Sequence, residues 1–496
     1  MAELLLGLDV GTTATKAVLF DRQGNVVASA SRGYGLITPR PTWVEQDPEE
    51  LWRAVVETVH SVRQQCGSRN RIVALSQASQ GGTTIPVDAE GHPTHYAISW
   101  MDGRAQEEAN RVRAEWGEEL IRTVTGWPLL SGLPLQHIAW FKQNCPAEFA
   151  ATRHFLFVND FISLRLTGRL CMNPSDASIT QLLNLATSDW DERLLDTAGI
   201  ERGQLSPIRA SGDVVGHLSE AASQMTGLSP DTLVVNGAHD QYCAAIGTGV
   251  TRPGRTLLSC GTAWVMLAVP ESLEVGLRSS MAISCHAILG RWGAIRSLGA
   301  VGTSLEWLLD HVWGGQDAGE KRAELYDVIN QGVARTAPGA GGLLFFPLAG
   351  GHASGYGPAR GGFLGLSISH ARYDMARAVM EGAAFELRWA TEEMQAKGLR
   401  VAELTMVGGA AKSAVWPQII ADITGVTVTL SSLREAASRG AAILAGVGAG
   451  LFTDPETGFG AFQGQETRLE PDAENQKLYD ALFAKYQAQV VAGQAS

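Results

Sequence analysis

The chain opens with two apolar runs separated by a short polar turn. Residues 4–8 and 17–20 are almost entirely apolar, and Gly11 stands in the turn between them. Two apolar runs that flank a glycine-containing turn are typical of a β-hairpin. Residues 256–267 repeat this pattern around Gly261, which lies 250 positions after Gly11, about half the chain away. We interpret the repeat as an internal duplication of one domain plan. Two unrelated hairpins are the alternative, because the halves show no further repeat by eye.

Two helices can be predicted from local signals. Asp47, Pro48 and Glu50 are typical of a helix start, with an N-cap, a first-turn proline and a capping-box acid, and the helix should continue to about residue 65. Residues 435–450 are mostly small and apolar, which predicts a helix that packs closely against its neighbours.

Length and composition indicate the class of protein. At 496 residues the chain is too long for one hydrophobic core, so we predict two domains. The 56 glycines suit an α/β protein with many tight turns. The net charge of −12 argues against nucleic acid or an anionic membrane surface as the main partner, because both are negatively charged. It does not argue against ATP, since a few local donors can hold phosphates.

The cysteines and the N-terminus favour a cytoplasmic location. The six cysteines are scattered without a Cys-x-x-Cys pair, so they predict neither a metal site nor a disulfide framework. Glu3 stands where a signal peptide would carry positive charge. No stretch approaches the roughly 18 apolar residues of a membrane helix.

The turn of the first hairpin has the residue types of a phosphate site. Thr12 and Thr13 supply hydroxyls, and the exposed amides of the turn can form an anion-binding concavity. Asp9 ends the first strand, where its carboxylate could hold a hydrated magnesium ion, and Lys16 adds positive charge. An ordinary hairpin with a polar tip is the alternative interpretation.

A second candidate group lies at Trp100, Asp102 and Arg104. An aromatic face beside a carboxylate and a guanidinium could bind a polyol. Taken alone, a helix cap followed by a solvated arginine explains these residues as well.

Residues 232–247 predict a strand, a loop and a helix of small residues, and Asp240 lies where the strand gives way to the helix. Ligands of α/β proteins tend to bind at the carboxyl ends of strands and near helix N-termini. An aspartate there is also a good N-cap, which is the simpler interpretation of the position alone.

A Gly-Gly turn at Gly408 and Gly409 follows another predicted strand, and would let backbone amides approach a nucleoside or a phosphate. There is no Gly-x-x-x-x-Gly-Lys-Ser/Thr stretch, and no Gly-x-Gly-x-x-Gly follows a strand at the right place. The chain is therefore not a P-loop protein, and the sequence gives no support for a Rossmann dehydrogenase.

Together these stretches resemble the FGGY carbohydrate kinases, over about residues 4–452. The most specific match joins residues 361–366 to residues 374–381, the second signature of the family. The first signature is at residues 132–144, with His137 where the family usually has lysine. The stretches at residues 8–13, 100–104 and 408–410 also resemble motifs of the family.

The resemblance implies a role for each candidate residue. Asp240 would be the catalytic base, and Asp9 the acid near magnesium. The phosphate loops and nucleotide contacts would be Thr12, Thr13, Lys16, Gly261, Thr262, Gly302, Glu306, Gly409 and Ser413. The substrate contacts would be Gly81, Gly82, Trp100, Asp102 and Gln241, together with the base.

The resemblance also implies the fold and the reaction. We expect an α/β protein of two actin-like (ribonuclease H-like) ATPase domains with a cleft between them, in which sugar and ATP bind. Residues 1–245 would bind the sugar and carry the base, and residues 246–496 would bind the nucleotide. Magnesium and the two Gly-Thr turns would hold the γ-phosphate while the base accepts the proton of a sugar hydroxyl.

The substrate is less well defined. Gly81 and Gly82 stand where xylulokinases usually have Met-His and glycerol kinases have Arg-Glu. We favour a ketose or polyol, D-xylulose first, with another pentulose, a tetritol or glycerol as alternatives. An ATPase switch or a sugar sensor of the same fold is the alternative of another class. The partner would be this small molecule, without nucleic acid or membrane, and a homodimer is one state we consider.

Overall fold

The computed structural model describes residues 2–67, 70–279, 281–315, 322–354, 361–431, 435–462 and 464–493. The chain divides into two compact units. The first unit comprises residues 1–251, 272–294 and 433–463, and the second comprises residues 252–271, 295–432 and 464–496. The assignment of sugar binding to residues 1–245 and of nucleotide binding to residues 246–496 stays a prediction.

The strands have the following bounds: β1 (Glu3–Val10), β2 (Ala14–Phe20), β3 (Val26–Gly33), β4 (Glu45–Gln46), β5 (Arg71–Ser79), β6 (Thr84–Val87), β7 (Ala97–Ile98), β8 (His154–Phe157), β9 (Leu183–Asn184), β10 (Asp189–Trp190), β11 (Val214–His217), β12 (Leu233–His239), β13 (Gly254–Cys260), β14 (Trp264–Ala268), β15 (Ala282–Cys285), β16 (Trp292–Ser297), β17 (Leu344–Phe346), β18 (Gly362–Leu364), β19 (Val401–Gly408), β20 (Thr427–Ser431) and β21 (Glu466–Leu469).

The α-helices have the following bounds: α1 (Pro48–Gln65), α2 (Gln106–Trp116), α3 (Glu118–Thr125), α4 (Pro134–Asn144), α5 (Pro146–Ala151), α6 (Val158–Thr167), α7 (Pro174–Ile179), α8 (Glu192–Ala198), α9 (Glu220–Thr226), α10 (Asp240–Gly247), α11 (Leu273–Arg278), α12 (Thr303–His311), α13 (Arg322–Arg335), α14 (Gly351–Ser354), α15 (Arg372–Ala396), α16 (Trp416–Thr424), α17 (Ala436–Gly448), α18 (Pro455–Ala461) and α19 (Ala473–Gly493). Among the described residues, no helix has the length and apolar character needed to cross a membrane.

The first unit is built on a six-stranded sheet in the order β11-β12-β5-β1-β2-β3. The predicted first hairpin is confirmed: β1 and β2 are antiparallel, with Asp9 opposite Lys16. β5 lies parallel to β1 on one side and to β12 on the other. The carboxyl ends of β1, β5 and β12 therefore meet at one edge of the sheet.

The second unit repeats this arrangement. The second predicted hairpin is also confirmed, because β13 and β14 are antiparallel with Cys260 opposite Trp264. β13 lies parallel to β19, which is followed in the sheet by β20 and β21. Each unit thus places an antiparallel hairpin beside a parallel strand, as expected of a duplicated domain plan.

Apolar side chains cover one face of the first sheet, and two helices of small residues cover the other. Leu6, Leu8 and Val55 belong to one buried cluster between the strands and α1, and full burial of each such side chain contributes about 1.5–3 kcal/mol. The predicted small-residue helix is confirmed as α17, which packs directly on β1. A Cβ at Gly7 would lie only 1.7 Å from the carbonyl oxygen of Ser438, so this contact requires glycine.

The N-terminus of α1 confirms most of the predicted helix start. The side chain of Asp47 accepts a 2.9 Å hydrogen bond from the backbone N–H of Glu49, and Pro48 is the first helical residue. The predicted capping-box role of Glu50 is wrong. Its carboxylate instead accepts a 2.7 Å hydrogen bond from Arg32, because β3 brings that guanidinium beside the first turn of the helix.

Candidate active site

Two candidate carboxylates lie at the same edge of the first sheet. Asp9 is the penultimate residue of β1, and Asp240 directly follows β12 as the first residue of α10. Burial, reinforced by the negative charge of Asp240, raises the pKa of Asp9 to about 7, although the positive charge of Lys16 opposes the shift. The fold therefore brings Asp9 and Asp240 close enough for their charges to interact.

This electrostatic setting fits a magnesium ion. Burial and the neighbouring negative charge disfavour the ionised form of Asp9, and a divalent cation beside the carboxylate would stabilise that form. Within the described ranges, no group of three or more His, Cys, Asp or Glu side chains is placed to hold a metal. Magnesium typically uses one or two carboxylates and takes its other ligands from water and phosphate.

The structure excludes the interpretation of Asp240 as an N-cap. The N-cap of α10 is His239, whose side chain makes no capping hydrogen bond. Asp240 Oδ1 lies 3.3 Å from Nε2 of His239, and the Asp240 side chain is 31% exposed. A partly exposed acid in the first turn of a helix is available to a ligand. Gln241 follows it in α10 and is half-buried.

The turn of the first hairpin is closed by a 3.0 Å hydrogen bond from the N–H of Gly11 to the carbonyl of Ala14. Thr12 lies in this turn, and its Oγ1 accepts a 3.0 Å hydrogen bond from the indole Nε1 of Trp100. The predicted phosphate turn and the predicted sugar-binding tryptophan are therefore in direct contact. Thr13 is exposed beside them.

Lys16 is paired in this structure. Its Nζ lies 2.6 Å from Oε2 of Glu435, the residue that precedes α17. Both side chains are about one-third exposed, so a phosphate group could compete with Glu435 for the ammonium. Its predicted contact with phosphate stays a prediction.

The predicted sugar residues Gly81, Gly82 and Trp100 lie close together. A Cβ at Gly82 would lie 3.1 Å from Cβ of Trp100, and a Cβ at Gly81 would lie 2.6 Å from Cδ2 of His239. Trp100 is 47% exposed and presents a large apolar face. The two buried glycines thus lie between the tryptophan and the residue beside Asp240.

Asp102 is placed differently from these residues. Its side chain is fully buried, and its carboxylate accepts hydrogen bonds of 2.8 and 2.9 Å from Nη2 and Nε of Arg104. The guanidinium of Arg104 is buried against the rings of Trp43 and Trp140. Arg104 is therefore not solvated, and the structure does not bring the Asp102 carboxylate to the exposed surface near Trp100.

His137, the departure from the family pattern, is buried in α4. Its Nδ1 lies 3.3 Å from Oγ1 of Thr84, and burial lowers the pKa of its imidazole to about 4. The ring is therefore neutral at pH 7, so this helix buries no positive charge at the position.

The second unit contains a cavity of about 700 Å³, which is within the usual size range of small-molecule sites. Six of the predicted nucleotide-binding residues line it: Gly261, Thr262, Gly302, Glu306, Gly409 and Ser413. They come from the second hairpin turn, the start of α12 and the turn after β19. Residues far apart in the sequence are thus brought to one cavity.

Two of these residues already have hydrogen-bond partners. The carboxylate of Glu306 accepts hydrogen bonds from Arg322 and from the hydroxyl of Tyr326. The hydroxyl of Ser413 donates to Oδ1 of Asn330 at 2.6 Å and accepts from the N–H of Trp416, the first residue of α16, at 3.0 Å.

The sequence reasoning missed the lining that α13 contributes. Tyr326, Asp327 and Asn330 project from this helix into the cavity. Neighbouring turns of one helix place residues three or four apart on the same face, but nothing in the stretch itself points to a ligand.

Comparison with known proteins agrees with this geometry. Residues 4–247 match the FGGY family of carbohydrate kinases, N-terminal domain, and residues 257–449 match the C-terminal domain of the same family. The chain belongs to the FGGY family of carbohydrate kinases. It is therefore a phosphotransferase that uses an alcohol group as acceptor, and ATP is the phosphate donor of this family.

This FGGY kinase is similar to relatives that are named for two different substrates, xylulose and gluconate. It is 32% identical to a xylulose kinase of Staphylococcus epidermidis, over 98% of this chain and 96% of the relative. It is 31% identical to a gluconokinase of Bacillus subtilis, over 90% and 87%. Among solved structures it resembles a gluconate kinase from Lactobacillus acidophilus, with TM-score 0.88, 26% identity and 100% and 99% coverage. It also resembles a xylulose kinase from Rhodospirillum rubrum, with TM-score 0.87, 26% identity and 99% and 98% coverage.

The second signature of the FGGY kinase has a structural role in this chain. Arg377 and Glu381 lie one turn apart in α15, and Arg377 Nε donates a 2.7 Å hydrogen bond to Glu381 Oε1. The hydroxyl of Tyr479 in α19 donates to the same oxygen at 2.7 Å. All three residues are buried, so this part of the signature holds two helices together.

Proposed function

We propose that this FGGY kinase transfers the γ-phosphoryl group of magnesium-ATP to a hydroxyl of a small ketose, D-xylulose first. The observation that carries the proposal is the placement of Asp240. It lies at the N-terminus of α10, close to the charge of Asp9 and next to the residue that covers Gly81. A general base needs a partly exposed carboxylate beside the substrate surface, and Asp240 meets that requirement.

Asp240 would act as the general base. A sugar hydroxyl is a weak nucleophile, and it becomes a better one as its proton is accepted during attack on phosphorus. The proton would pass to the Asp240 carboxylate as the sugar oxygen bonds to the γ-phosphorus. The bond between that phosphorus and the β,γ-bridging oxygen would break, so that ADP leaves. Trp100 would present its apolar face to the carbon chain of the sugar, and the backbone of Gly81 and Gly82 would lie beside it.

The cavity of the second unit would hold the nucleotide. Its two glycine-containing turns, at Gly261–Thr262 and at Gly409, offer backbone N–H groups that suit phosphate oxygens. Asp9 would hold magnesium, which when bound neutralises charge on the phosphates. Thr12, Thr13 and Lys16 would bind phosphate from the first unit.

The choice of D-xylulose is supported by relatives named xylulose kinase, which are 28–32% identical to this chain. Another pentulose, a tetritol or glycerol are the alternatives we retain from the sequence. The similarity to gluconokinases makes gluconate the second candidate to test.

The test is ADP release from magnesium-ATP in the presence of D-xylulose, D-ribulose, L-ribulose, erythritol, glycerol or gluconate. We expect D-xylulose to raise the rate most, by at least a hundredfold over the rate without sugar. If gluconate stimulated ADP release more strongly, it would replace D-xylulose as the proposed substrate. No stimulation by any of these compounds would contradict the proposal.

Location and assembly also stay predictions. All six cysteines lie among the described residues and are unpaired thiols, which supports the proposed cytoplasmic location. A homodimer can be tested by light scattering at micromolar concentration.

A further inference from the structure

The imidazole of His239 occupies the space in front of Gly81. A Cβ built at Gly81 would lie 2.6 Å from Cδ2 and 2.9 Å from Nε2 of His239. Both distances are too short for a real Cβ contact, so a side chain at position 81 and the ring at position 239 exclude each other. The backbone at Gly81 does not have the positive φ that would itself favour glycine. The histidine ring is therefore the first obstacle to a side chain at position 81, and Cγ2 of Ile179, 3.0 Å from such a Cβ, is the next.

The fold holds the ring in this place. His239 ends β12, and its backbone N–H donates a 3.0 Å hydrogen bond to Oγ of Ser175. The ring packs against Tyr242 in α10, with 5.9 Å between ring centroids. Only 10% of the His239 side chain is exposed.

The ring also adjoins the proposed base. Nε2 of His239 lies 3.3 Å from Oδ1 of Asp240. A hydroxyl that hydrogen-bonds to this carboxylate oxygen at about 2.8 Å lies within about 6 Å of Nε2. This distance allows the hydroxyl on the neighbouring carbon of the same substrate to approach the imidazole to hydrogen-bond distance. Burial lowers the pKa of His239, so the neutral ring offers one N–H donor and one acceptor nitrogen.

We infer that His239 is a specificity-determining residue, whose imidazole takes the place of a side chain at position 81 and contacts the hydroxyl on the carbon next to the phosphorylated one. This inference rests on the proposed role of Asp240 as the base. The substrate class it implies is a polyhydroxy chain with a vicinal diol at the phosphorylated end. His239 would discriminate the configuration at the inner carbon of that diol.

The first test measures the contact without any sugar. Gly81→Ala should lower the midpoint of thermal unfolding by at least about 3 °C, because the new methyl group meets the ring. In a His239→Ala background the same substitution should lower the midpoint by less than half as much. Such non-additivity is expected of residues in contact.

Gly82→Ala is the matched control for this cycle. Its Cβ would meet Trp100, and Gly82 has φ of +79°, so its cost should be the same with and without His239. Additive effects of Gly81→Ala and His239→Ala would overturn the inference.

The second test measures specificity with two pairs of epimers. D-xylulose and L-ribulose differ at C4, next to the C5 hydroxyl, and D-xylulose and D-ribulose differ at C3. His239→Ala should reduce the ratio of kcat/KM for D-xylulose to that for L-ribulose at least tenfold. The ratio of kcat/KM for D-xylulose to that for D-ribulose should change by less than threefold. His239→Asn, which keeps an N–H donor, should retain part of the C4 preference.

A C4 ratio unchanged in His239→Ala, with turnover retained, would overturn the inference, because it would show that the ring does not discriminate the configuration at C4. If the wild-type enzyme phosphorylates none of the three pentuloses, the proposed substrate has failed. The thermal cycle then decides independently whether the ring takes the place of a side chain at position 81.

Discussion

The indole of Trp100 donates a 3.0 Å hydrogen bond from Nε1 to Oγ1 of Thr12. The two residues are 88 positions apart, and they belong to the proposed sugar surface and to the proposed phosphate turn. The bond orients the exposed indole against the turn, so the position of the sugar should depend on the position of the turn.

Trp100→Phe keeps an aromatic face and removes this donor. One hydrogen bond contributes about 1 kcal/mol, so we expect kcat/KM for the sugar to fall about fivefold. Because Trp100 is half-exposed, the thermal midpoint should stay within about 2 °C. The same substitution in a Thr12→Val background should have little further effect on kcat/KM. Equal effects in both backgrounds would contradict the role of the bond.

Lys16 and Glu435 form an ion pair that is too exposed to stabilise the fold strongly, and such pairs contribute about 0–1 kcal/mol. If Lys16 binds phosphate, Lys16→Met should weaken magnesium-ATP binding about tenfold, whereas Glu435→Gln should preserve or strengthen it. Isothermal titration calorimetry of the two variants separates these effects. Equal weakening in both would show that the pair acts only through structure.

The raised pKa of Asp9 predicts a pH dependence of metal binding. Its pKa in the folded protein, about 7, lies above the ordinary value of 3.8. The folded state therefore retains this proton between about pH 4 and 7, and the contribution of Asp9 to stability falls as the pH rises through that interval. A magnesium ion on the ionised carboxylate would displace the proton.

The dissociation constant of magnesium-ADP should consequently fall by up to about tenfold per unit as the pH rises towards 7, and then level off. Calorimetry from pH 5.5 to 8.5 measures this, with Asp9→Asn as a control that also corrects for titration of ADP itself. Identical pH profiles for wild type and variant would rule out Asp9 as the group responsible.

Gly7 is expected to be indispensable for the first unit. A methyl group there would lie 1.7 Å from the carbonyl oxygen of Ser438 in α17, so β1 and the helix would have to separate. Gly7→Ala should cost more than about 3 kcal/mol of the free energy of unfolding. Gly35→Ala, which meets no atom within 4 Å, should change it by less than about 0.5 kcal/mol. Denaturant unfolding of both variants provides the comparison.

Features set by neighbouring residues could be predicted from the sequence. The hairpins at both Gly-Thr turns, the start of α1 at Asp47 and the small-residue helix α17 are all as predicted. Each depends on apolar periodicity, a turn glycine or a cap, which are local properties. The duplication could be inferred because it repeats one such local pattern.

Features set by packing between distant segments could not be predicted. Arg104 would be solvated if only its neighbours mattered, but Trp43 and Trp140 enclose its guanidinium. Packing between distant segments also places α13 against the cavity and the ring of His239 against Gly81. Sequence spacing carries no signal for any of these contacts.

The central claim is that Asp240 is the general base of sugar phosphorylation. The most direct measurement is the turnover of Asp240→Asn with magnesium-ATP and the preferred sugar, beside its affinity for magnesium-ATP. The account predicts that turnover falls by at least about a hundredfold, within the 10²–10⁴-fold range typical of general bases, while nucleotide affinity stays within about threefold. Turnover within about tenfold of wild type would contradict it.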